Sequence, residues 1–361
     1  MGKVLTPYIK ALLTEPPILS LEEFSKALGL IFDGEANDIE TSSFLTALQL
    51  RKLHFNAEFL ATAVETILQY SEKIPATSVD KDGYIDIVGT GGDSKNTFNV
   101  STSAAIVGAG MGLKVCKHGG NASTSTSGAG DLMSELGVQL MKINAETAPT
   151  VIGDSDLCFL FAPAFHHGMA RVINVRKNLG IPTIFNILGP LLNPIPLKAR
   201  ILGVYTEDLG KVYCEAAVKL DKKRGRKPAN TMVVWGEIGL DELSPVGKSK
   251  VWKYNDKTDS VDEFTLSPKD FGLPEHSLDL VRSGTPAENA VTLRNILGNN
   301  VETEPGKNPL VDYVLLNAAA LAVVGGLTVD WKEGVKIAYK SISSGAALDA
   351  LEKFIESVDQ L

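Results

Sequence analysis

The sequence contains few cysteines and no long apolar run. Its 361 residues include three cysteines, Cys116, Cys158 and Cys214, which are widely spaced and form no CxxC pair. This usage predicts reduced, structural thiols in a cytoplasmic protein. No apolar run approaches the roughly 18 residues of a membrane helix, and the N-terminus lacks the charged and apolar regions of a signal peptide. We therefore expect a cytoplasmic protein without a membrane partner.

Positive charge is also scarce. Acidic residues outnumber lysine and arginine by 43 to 35, which gives a net charge of −8. This balance disfavours a broad nucleic-acid or acidic-membrane surface, so we expect no nucleic acid among the partners. The short basic run at 221–227 is predicted to be a solvated loop between a helix and a strand. A phosphate-bearing substrate would have to be met by local positive groups and by Mg²⁺.

The length and a change of pattern along the chain predict two domains. Residues 1–80 are expected to form a small all-helical domain, in which Ser20 and Glu23 make a capping box before an amphipathic run. Residues 81–361 are expected to form a large α/β domain, after a polar linker at 76–83.

Strands alternate with helices in the second segment. The predicted strands cover residues 85–88, 113–116, 157–160, 183–187 and 232–235. This alternation indicates a mostly parallel central sheet flanked by helices, with a possible edge hairpin at 248–262.

A glycine-rich segment follows the first of these strands. Gly89, Gly91 and Gly92 remove side chains where the backbone must turn and where a ligand can approach closely. The order G-T-G-G-D excludes both the Walker pattern and the G-x-G-x-x-G fingerprint. An acid at Asp93 is unexpected beside a phosphate, but it suits sugar hydroxyls or a hydrated metal ion. The segment therefore indicates a sugar phosphate rather than a bare phosphate.

A helix is predicted to begin just after this turn. Asn99, Ser101 and Thr102 lie at its N-terminus, where free N–H groups and the helix dipole favour an anion. We interpret the turn and the helix start as a cradle for phosphate or pyrophosphate. The alternative is a glycine turn with an ordinary helix cap.

A second loop of the same kind follows the next strand. Lys117 at the strand end can pair with a phosphate, and the glycines and hydroxyls up to Ser125 can surround an anion with N–H groups. The alternative is a flexible polar loop with one exposed lysine. Loops at the carboxyl ends of parallel strands converge, which favours a shared site.

Two adjacent carboxylates, Asp241 and Glu242, follow the strand at 232–235. Mg²⁺ favours a few acidic ligands together with water and phosphate oxygens, so this pair is a candidate metal site. Taken alone, the pair is more often two solvated acids in a loop, and only the phosphate loops favour the metal site.

Two histidines and an arginine form a further candidate group. His166 and His167 stand at an expected helix start, and no third ligand is spaced to make a zinc site with them. Arg176, about three turns further along, can fork onto a carboxylate. The alternative is a surface arginine beside Lys177. The segment 186–194 is predicted to be a tight Gly-Pro turn.

Taken together, these motifs resemble those of the anthranilate phosphoribosyltransferases, which have the phosphoribosyltransferase/nucleoside phosphorylase fold. The resemblance covers nearly the whole chain through the ordered set GTGGD, NVST, KHG, FAPAFHHGM, VRKNLG, NILGPLLNP, GLDE, PAENA and LLNAAAL. It implies a Mg²⁺-dependent transfer of the phosphoribosyl group from phosphoribosyl pyrophosphate to anthranilate, in tryptophan biosynthesis. It also implies a homodimer formed through the helical domain, which would supply one wall of the cleft.

The resemblance assigns roles residue by residue. The residues implied for phosphoribosyl pyrophosphate are Gly89, Gly92, Asp93, Thr97, Asn99, Val100, Ser101, Thr102, Lys117, Gly119, Gly120, Asn121, Ser123, Thr124, Ser125 and Ala129. Those implied for anthranilate are Gly89, His118, Gly120, Asn121, His166, Arg176, Gly189 and Pro190. Those implied for Mg²⁺ are Ser101, Asp241 and Glu242, and those implied for catalysis are Lys117, His118 and Arg176.

Two positions depart from the pattern of the family. Gly120 stands where an asparagine that contacts anthranilate is common, and Ala129 stands where a serine is common. Asn121 could supply the missing amide if the backbone shifts by one residue.

Two other functions stay open at this stage. A pyrimidine nucleoside phosphorylase has the same fold, but Arg176 in VRKNLG and the GLDE pair disfavour it. A nucleic-acid-binding paralogue is disfavoured by the net acidity and by the intact loop residues.

Overall fold

The N-terminal part of the chain is a helical bundle. The computed structural model describes residues 3–122 and 125–361. The helices of the bundle are α1 (Thr6–Leu13), α2 (Leu21–Phe32), α3 (Asp38–Leu50) and α4 (Ala57–Gln69). The predicted capping box is confirmed, because the Ser20 hydroxyl accepts from the Glu23 amide and the Glu23 carboxylate accepts from the Ser20 amide. Inside the bundle, the ring of Phe24 lies 5.0 Å from that of Phe59 and 6.3 Å from that of Phe44.

A mixed sheet forms the centre of the rest of the chain. Its strands are β1 (Tyr84–Gly89), β2 (Val115–Gly119), β3 (Leu157–Phe161), β4 (Leu197–Gly203), β5 (Asn230–Gly236), β6 (Ser249–Asn255) and β7 (Ser260–Leu266). Their order is β3-β2-β1-β4-β5-β6-β7, with β1 to β5 parallel and the last two strands antiparallel. The sheet therefore reverses its order of winding between β1 and β4, where open α/β sheets bind ligands. This architecture confirms the predicted fold class.

Helices cover both faces of the sheet. They are α5 (Val100–Gly110), α6 (Ala129–Glu135), α7 (Ala148–Asp154), α8 (Ala162–Phe165), α9 (Ala170–Leu179), α10 (Gly210–Lys223), α11 (Pro286–Leu297), α12 (Pro309–Val324), α13 (Trp331–Ser343) and α14 (Ala346–Asp359). On one face, Ile87 packs in the cluster formed with α5 and α12. On the other face, Leu202 and Val233 share a cluster with Tyr213 of α10 and Leu60 of α4. The helical bundle is thereby joined to the sheet through α10.

One predicted strand is wrong and one strand was missed. Residues 183–187 form a short 3₁₀ turn, Ile184–Asn186, instead of a strand. The Asn186 side chain accepts from both the amide and the hydroxyl of Thr183, and this local capping replaces strand pairing. The missed strand is β4, which pairs with β1 on the side opposite β2 and carries charged residues within its sequence. Arg200 within it is buried because it bonds to Thr231 and to Asp221 of α10.

The basic run at 221–227 is only partly the solvated loop that was predicted. Helix α10 continues through Lys223, and Asp221 is 6% exposed. Its carboxylate accepts from the Arg200 guanidinium and, at 3.0 Å, from the Ala229 amide. A buried charge of this kind is retained only when it is paired and hydrogen-bonded.

The described residues contain no candidate for a membrane crossing. None of the helices in 3–122 and 125–361 combines the necessary length with the necessary apolar character. The most apolar of them, α12, is buried along its length against the sheet and α5.

Candidate active site

A cavity of about 600 Å³ lies at the carboxyl ends of β1, β2 and β4. Its wall is built from the loop after β1, the start of α5, the loop after β2, and the segments around 182–190 and 241–242. Gln49 and His54 of the helical bundle complete the wall. A second cavity of about 860 Å³ lies near the opposite, amino-terminal ends of β1, β4 and β5, and none of the predicted site residues lines it.

The glycine-rich loop is fitted closely around Asp241. A Cβ on Gly89 would lie 2.2 Å from the Asp241 carboxylate, and one on Gly203 would lie 1.6 Å from the Asp241 carbonyl oxygen. Gly91 has φ +68° and Gly92 has φ +85°, both in the left-handed region that favours glycine. The Gly91 amide donates to the Asp241 carboxylate at 2.6 Å. The glycines therefore bring an acid and a turn of bare backbone together at the switch point of the sheet.

The start of α5 has no side-chain cap, although the Val100 amide donates to the Phe98 carbonyl at 2.6 Å. Asn99 precedes the helix but makes no side-chain cap. Its amide instead donates to the Ser127 carbonyl at 2.8 Å, and its oxygen accepts from the Ser127 hydroxyl and from Asn289, both at 2.9 Å. The Thr102 hydroxyl in the first turn is buried without a hydrogen-bond partner. Free backbone donors and an unsatisfied hydroxyl are the groups that an anion would satisfy.

Lys117 places a positive charge in the cavity wall, where a phosphate-bearing ligand of this acidic protein would need one. The side chain is 1% exposed, and its ammonium group donates to the Ile87 carbonyl and, at 3.4 Å, to the Ser101 hydroxyl. Burial lowers the pKa of Lys117, and the nearby carboxylates of Asp86 and Glu242 oppose this shift. Burial in turn raises the pKa of Asp86, while Lys117 opposes that shift. A buried ammonium group with free bonding capacity suits a phosphate oxygen.

The two acids among the three predicted metal ligands, Asp241 and Glu242, repel each other when both are ionised. Burial, followed by the charge of Asp93, raises the pKa of Asp241 to about 7. Burial, followed by the charge of Asp241, raises the pKa of Glu242 well above its ordinary value. No group of three histidine, cysteine or acidic side chains converges on one point within the residues that the structure describes. This donor set fits Mg²⁺, which binds one or two carboxylates and takes its other ligands from water and phosphate oxygens.

Arg176, on α9, is half-buried beside the same cavity and forms no ion pair with an acidic side chain of the described residues. Its Nε is buried without a hydrogen-bond partner, and burial lowers its pKa. Burying part of a charged guanidinium costs free energy unless an anion pairs with it. Its planar pair of donors matches a carboxylate. The structure therefore disfavours the alternative that Arg176 is an ordinary surface arginine. The neighbouring Lys177 is exposed.

His118 and His166 lie one behind the other. His118 lines the cavity, and its Nδ1 is 3.1 Å from the Gly189 carbonyl oxygen. His166 does not line the cavity, but its Nε2 is 2.9 Å from the Nε2 of His118. Burial and the charge of His167 lower the pKa of His166 to about 4, and burial lowers the pKa of His118 well below its ordinary value.

The structure brings most of the predicted site residues to one cavity. The predicted residues that line it are Gly89, Gly92, Asp93, Thr97, Asn99, Val100, Ser101, Lys117, His118, Gly119, Gly120, Asn121, Ser125, Ala129, Arg176, Gly189, Pro190, Asp241 and Glu242. Thr102 and His166 lie behind this wall. Ser123 and Thr124 lie outside the described residues.

Sequence reasoning missed several residues that support the site. Asp86 and Asn193 form a buried pair at 2.9 Å beneath Lys117, and Asn289 holds Asn99. Asn193 and Asn289 belong to the NILGPLLNP and PAENA motifs, so those motifs contained a usable signal. Nothing in the sequence pattern pointed to Gln49 or His54, because the bundle approaches the cavity only through tertiary packing.

Comparison with known proteins agrees with this geometry. Residues 81–348 match the glycosyl transferase family a/b domain, and residues 6–71 match the glycosyl transferase family helical bundle domain. The fold and the cavity thus define a glycosyl transferase with two domains.

Individual relatives narrow the family further. Anthranilate phosphoribosyltransferase of Saccharomyces cerevisiae is 45% identical over 381 residues, and the match covers 99% of each chain. Its structure in complex with PRPP and Mg has a TM-score of 0.91 at 44% identity, covering 100% of this chain and 99% of that one. The structure of the same enzyme with 4-fluoroanthranilate has a TM-score of 0.90 at 42% identity, with the same coverage. The chain belongs to the anthranilate phosphoribosyltransferase family.

Proposed function

We propose that this chain transfers the phosphoribosyl group from phosphoribosyl pyrophosphate to the amine of anthranilate. The products are N-(5-phosphoribosyl)anthranilate and pyrophosphate, in tryptophan biosynthesis. The observation that carries the proposal is the combination, in one cavity, of anion-binding loops, two acids and an unpartnered arginine. The yeast relative, similar along the whole chain, has been solved with PRPP and Mg and with an anthranilate analogue.

The phosphoribosyl donor occupies the side of the cavity that is built from the loops after β1 and β2. The N–H groups at the start of α5 and the Lys117 ammonium group bind its phosphate oxygens. Because these donors are fixed before the substrate arrives, they stabilise the negative charge that grows on the departing pyrophosphate.

Asp241, Glu242 and the Ser101 hydroxyl would hold Mg²⁺ on this side. Bound Mg²⁺ supplies neutralising charge to the pyrophosphate oxygens. Without a cation, burial and mutual repulsion favour the protonated forms of the two acids. Asp93, at the end of the glycine turn, is placed to receive ribose hydroxyls.

The acceptor occupies the side of the cavity formed by Arg176, His118, Gly189 and Pro190. The guanidinium binds the anthranilate carboxylate and orients the neighbouring amine. A neutral aromatic amine is a weak nucleophile, so holding it in line with the anomeric carbon is the main contribution of the protein here.

The loss of anthranilate fluorescence tests the proposed function directly. Purified protein with phosphoribosyl pyrophosphate and Mg²⁺ is expected to consume anthranilate, and removal of the metal with a chelator is expected to stop the reaction. A folded protein that leaves anthranilate unchanged but cleaves uridine with phosphate would instead be a nucleoside phosphorylase.

We further propose a homodimer formed through the helical bundle. Large apolar side chains are exposed there: Leu13 by 63%, Ile18 by 67%, Ile39 by 80% and Leu50 by 75%. The Arg51 guanidinium donates to the carbonyls at the end of α1, which holds the end of α1 against the end of α3. A patch of this kind on a surface indicates a protein contact.

Light scattering at micromolar concentration tests the dimer. The protein is expected to have twice the chain mass, and Leu50→Glu is expected to give a monomer because it places a charge in the contact. Val329→Glu is the control, because Val329 is 95% exposed in the α/β domain. A wild-type monomer would refute the dimer.

The remaining assignments are also proposals. The three cysteines are free and buried, which supports a reducing, cytoplasmic location. The net charge of −8 supports the absence of a nucleic-acid partner. Salt-sensitive binding to duplex DNA would contradict the second proposal.

A further inference from the structure

A line of hydrogen bonds runs from the helical bundle to the wall of the cavity. The Ser71 hydroxyl, just beyond the end of α4, is 2.7 Å from His166 Nδ1. His166 Nε2 is 2.9 Å from His118 Nε2, and His118 Nδ1 is 3.1 Å from the Gly189 carbonyl oxygen. Ser71 is the last residue of the match to the helical bundle domain, whereas both histidines belong to the α/β domain. The line therefore crosses from one domain to the other.

The number of available protons determines the direction of these bonds. The Gly189 carbonyl can only accept, so His118 must carry its proton on Nδ1 and must accept at Nε2. His166 then carries its proton on Nε2 and accepts at Nδ1, and the Ser71 hydroxyl donates to it. The same hydroxyl lies 2.8 Å from the Ile67 carbonyl oxygen, but that oxygen already accepts from the Tyr70 amide, so the single hydroxyl proton is left for His166. The reverse arrangement would leave the lone pair of His118 Nδ1 facing the Gly189 oxygen. With two neutral rings, one orientation satisfies every contact in the line.

The surroundings keep the two rings neutral. Ser71 is 9% exposed, His166 is 5% exposed and His118 is 1% exposed. Burial lowers the pKa of both histidines. The two rings also meet edge to face, with centroids 5.0 Å apart, so that each restricts the rotation of the other.

We propose that Ser71 is a positioning residue for anthranilate: its hydroxyl fixes the orientation and the tautomer of His166, which in turn fixes His118 in the cavity wall. The inference rests on the proposed function for the identity of the substrate, but not for the geometry. It also gives His118 a definite role. Because both ring nitrogens are bonded within the protein, His118 presents a fixed ring to the acceptor and has no free nitrogen for the proton of its amine.

The line of hydrogen bonds also links the position of the helical bundle to the cavity wall. The next residue, Glu72, donates its amide to the Phe165 carbonyl at 2.7 Å, and its carboxylate lies 3.3 Å from His167. The end of α4 is thus held against the segment that carries His166. A displacement of the bundle would move the Ser71 hydroxyl relative to His166, so the position of the bundle is linked to the ring of His118.

Long-range ¹⁵N–¹H correlation of the imidazole groups tests the proton positions without any substrate. The chain has five histidines, so each can be assigned with single substitutions. At pH 7 we expect His118 to be protonated on Nδ1 and His166 on Nε2. Ser71→Ala is expected to change the His166 Nδ1 signal most. A proton on Nε2 of His118 in the wild type would overturn the inference, whether or not the protein consumes anthranilate.

Steady-state kinetics test the consequence for the substrate. Ser71→Ala is expected to raise KM for anthranilate about five- to thirtyfold, with less than about a twofold change in KM for phosphoribosyl pyrophosphate. Ser71→Thr, which keeps the hydroxyl, is expected to recover most of the loss. Ser25→Ala is the matched control, because the Ser25 hydroxyl bonds to Thr66 within the bundle and reaches no histidine. Equal changes in both KM values, or none, would overturn the inference, whereas an inactive wild type would overturn the proposed function alone.

Discussion

The two sides of the cavity are built by different means. The donor side, formed by residues 89–102, 117–122, 125–129 and 241–242, relies on backbone amides, glycines and closely placed charges. The acceptor side, formed by His118, Arg176, Gly189 and Pro190, relies on side chains held by other side chains. A backbone site leaves a strong local signal in the sequence, whereas a site of supported side chains depends on contacts that are distant in sequence. The predictions below aim to separate the two sides.

The largest effect is expected from Gly203→Ala on the donor side. The new Cβ would lie 1.6 Å from the Asp241 carbonyl oxygen, so the acid and the glycine loop must both move. We expect a loss of roughly 3 kcal/mol in the free energy of unfolding, and about a hundredfold loss of kcat/KM. Urea denaturation and the fluorescence assay measure the two effects.

Gly153→Ala provides the control for this substitution. Gly153 lies in α7, and nothing lies within 4 Å of its added Cβ. We expect unchanged activity and equal or slightly greater stability. Activity of Gly203→Ala within tenfold of the wild type would show that the close fit around Asp241 is not required.

Arg176→Ala should affect the acceptor side alone. Removal of the guanidinium takes away the charge that we propose binds the anthranilate carboxylate, which is expected to lower kcat/KM for anthranilate about a hundredfold. KM for phosphoribosyl pyrophosphate should stay within about twofold. Lys177→Ala, one residue further along α9 and exposed, is the control. A comparable loss for both substrates would show that the two sides are not separable.

Asp241→Asn should affect the donor side through Mg²⁺. The substitution removes one of two buried, repelling carboxylates, so the metal-free protein is expected to gain about 1 kcal/mol in stability. The concentration of Mg²⁺ for half-maximal activity is expected to rise at least about tenfold, because one ligand has lost its charge. Thermal unfolding without Mg²⁺ measures the first change, and the fluorescence assay at varied Mg²⁺ concentration measures the second. A lower stability without metal would contradict the account of this pair.

We expect the free energy of unfolding to depend on pH through His166, which supports the acceptor side. His166 has a folded pKa of about 4, below the ordinary value of 6.5. The folded state therefore binds fewer protons than the unfolded state between these values. The contribution of His166 to stability is fully present above pH 6.5 and is lost as the pH falls towards 4, by up to about 1.4 kcal/mol for each pH unit.

Comparison of unfolding free energies isolates this contribution. Between pH 7 and pH 5, the stability of the wild type should fall more steeply than that of His166→Asn, since carboxylates contribute equally to both. His167→Gln, whose side chain is 60% exposed in the wild type, should keep most of the wild-type slope, because burial contributes more than the charge of His167 to the lowered pKa of His166. Equal slopes in the wild type and His166→Asn would contradict the burial of a neutral ring at this position.

The same contrast explains what could be predicted from the sequence. The glycine turn, the start of α5 and the Asp241–Glu242 pair are contiguous patterns, and the structure brings them together. The strand predicted at 183–187 was wrong because Asn186 caps its own turn, which a count of β-branched residues does not detect. Strand β4 was missed because its charged residue Arg200 has its partner, Asp221, on α10.

The contacts that hold the side chains of the acceptor side could not be predicted from the sequence. His166 was predicted to contact anthranilate, but it lies behind His118 and bonds to Ser71 of the other domain. Ser71, His118 and His166 are far apart in the sequence, and contacts of this kind leave no periodic pattern of residues. The unpartnered state of Arg176 likewise depends on which neighbours pack around it. These features follow from tertiary packing rather than from local pattern.

The release of pyrophosphate tests most directly the claim that both sides act together. The protein is incubated with Mg²⁺ and phosphoribosyl pyrophosphate, with and without anthranilate, and pyrophosphate and phosphoribosylanthranilate are measured in the same samples. The account predicts that pyrophosphate appears only with anthranilate and in a one-to-one ratio with the new product. Equal pyrophosphate release without anthranilate would contradict it.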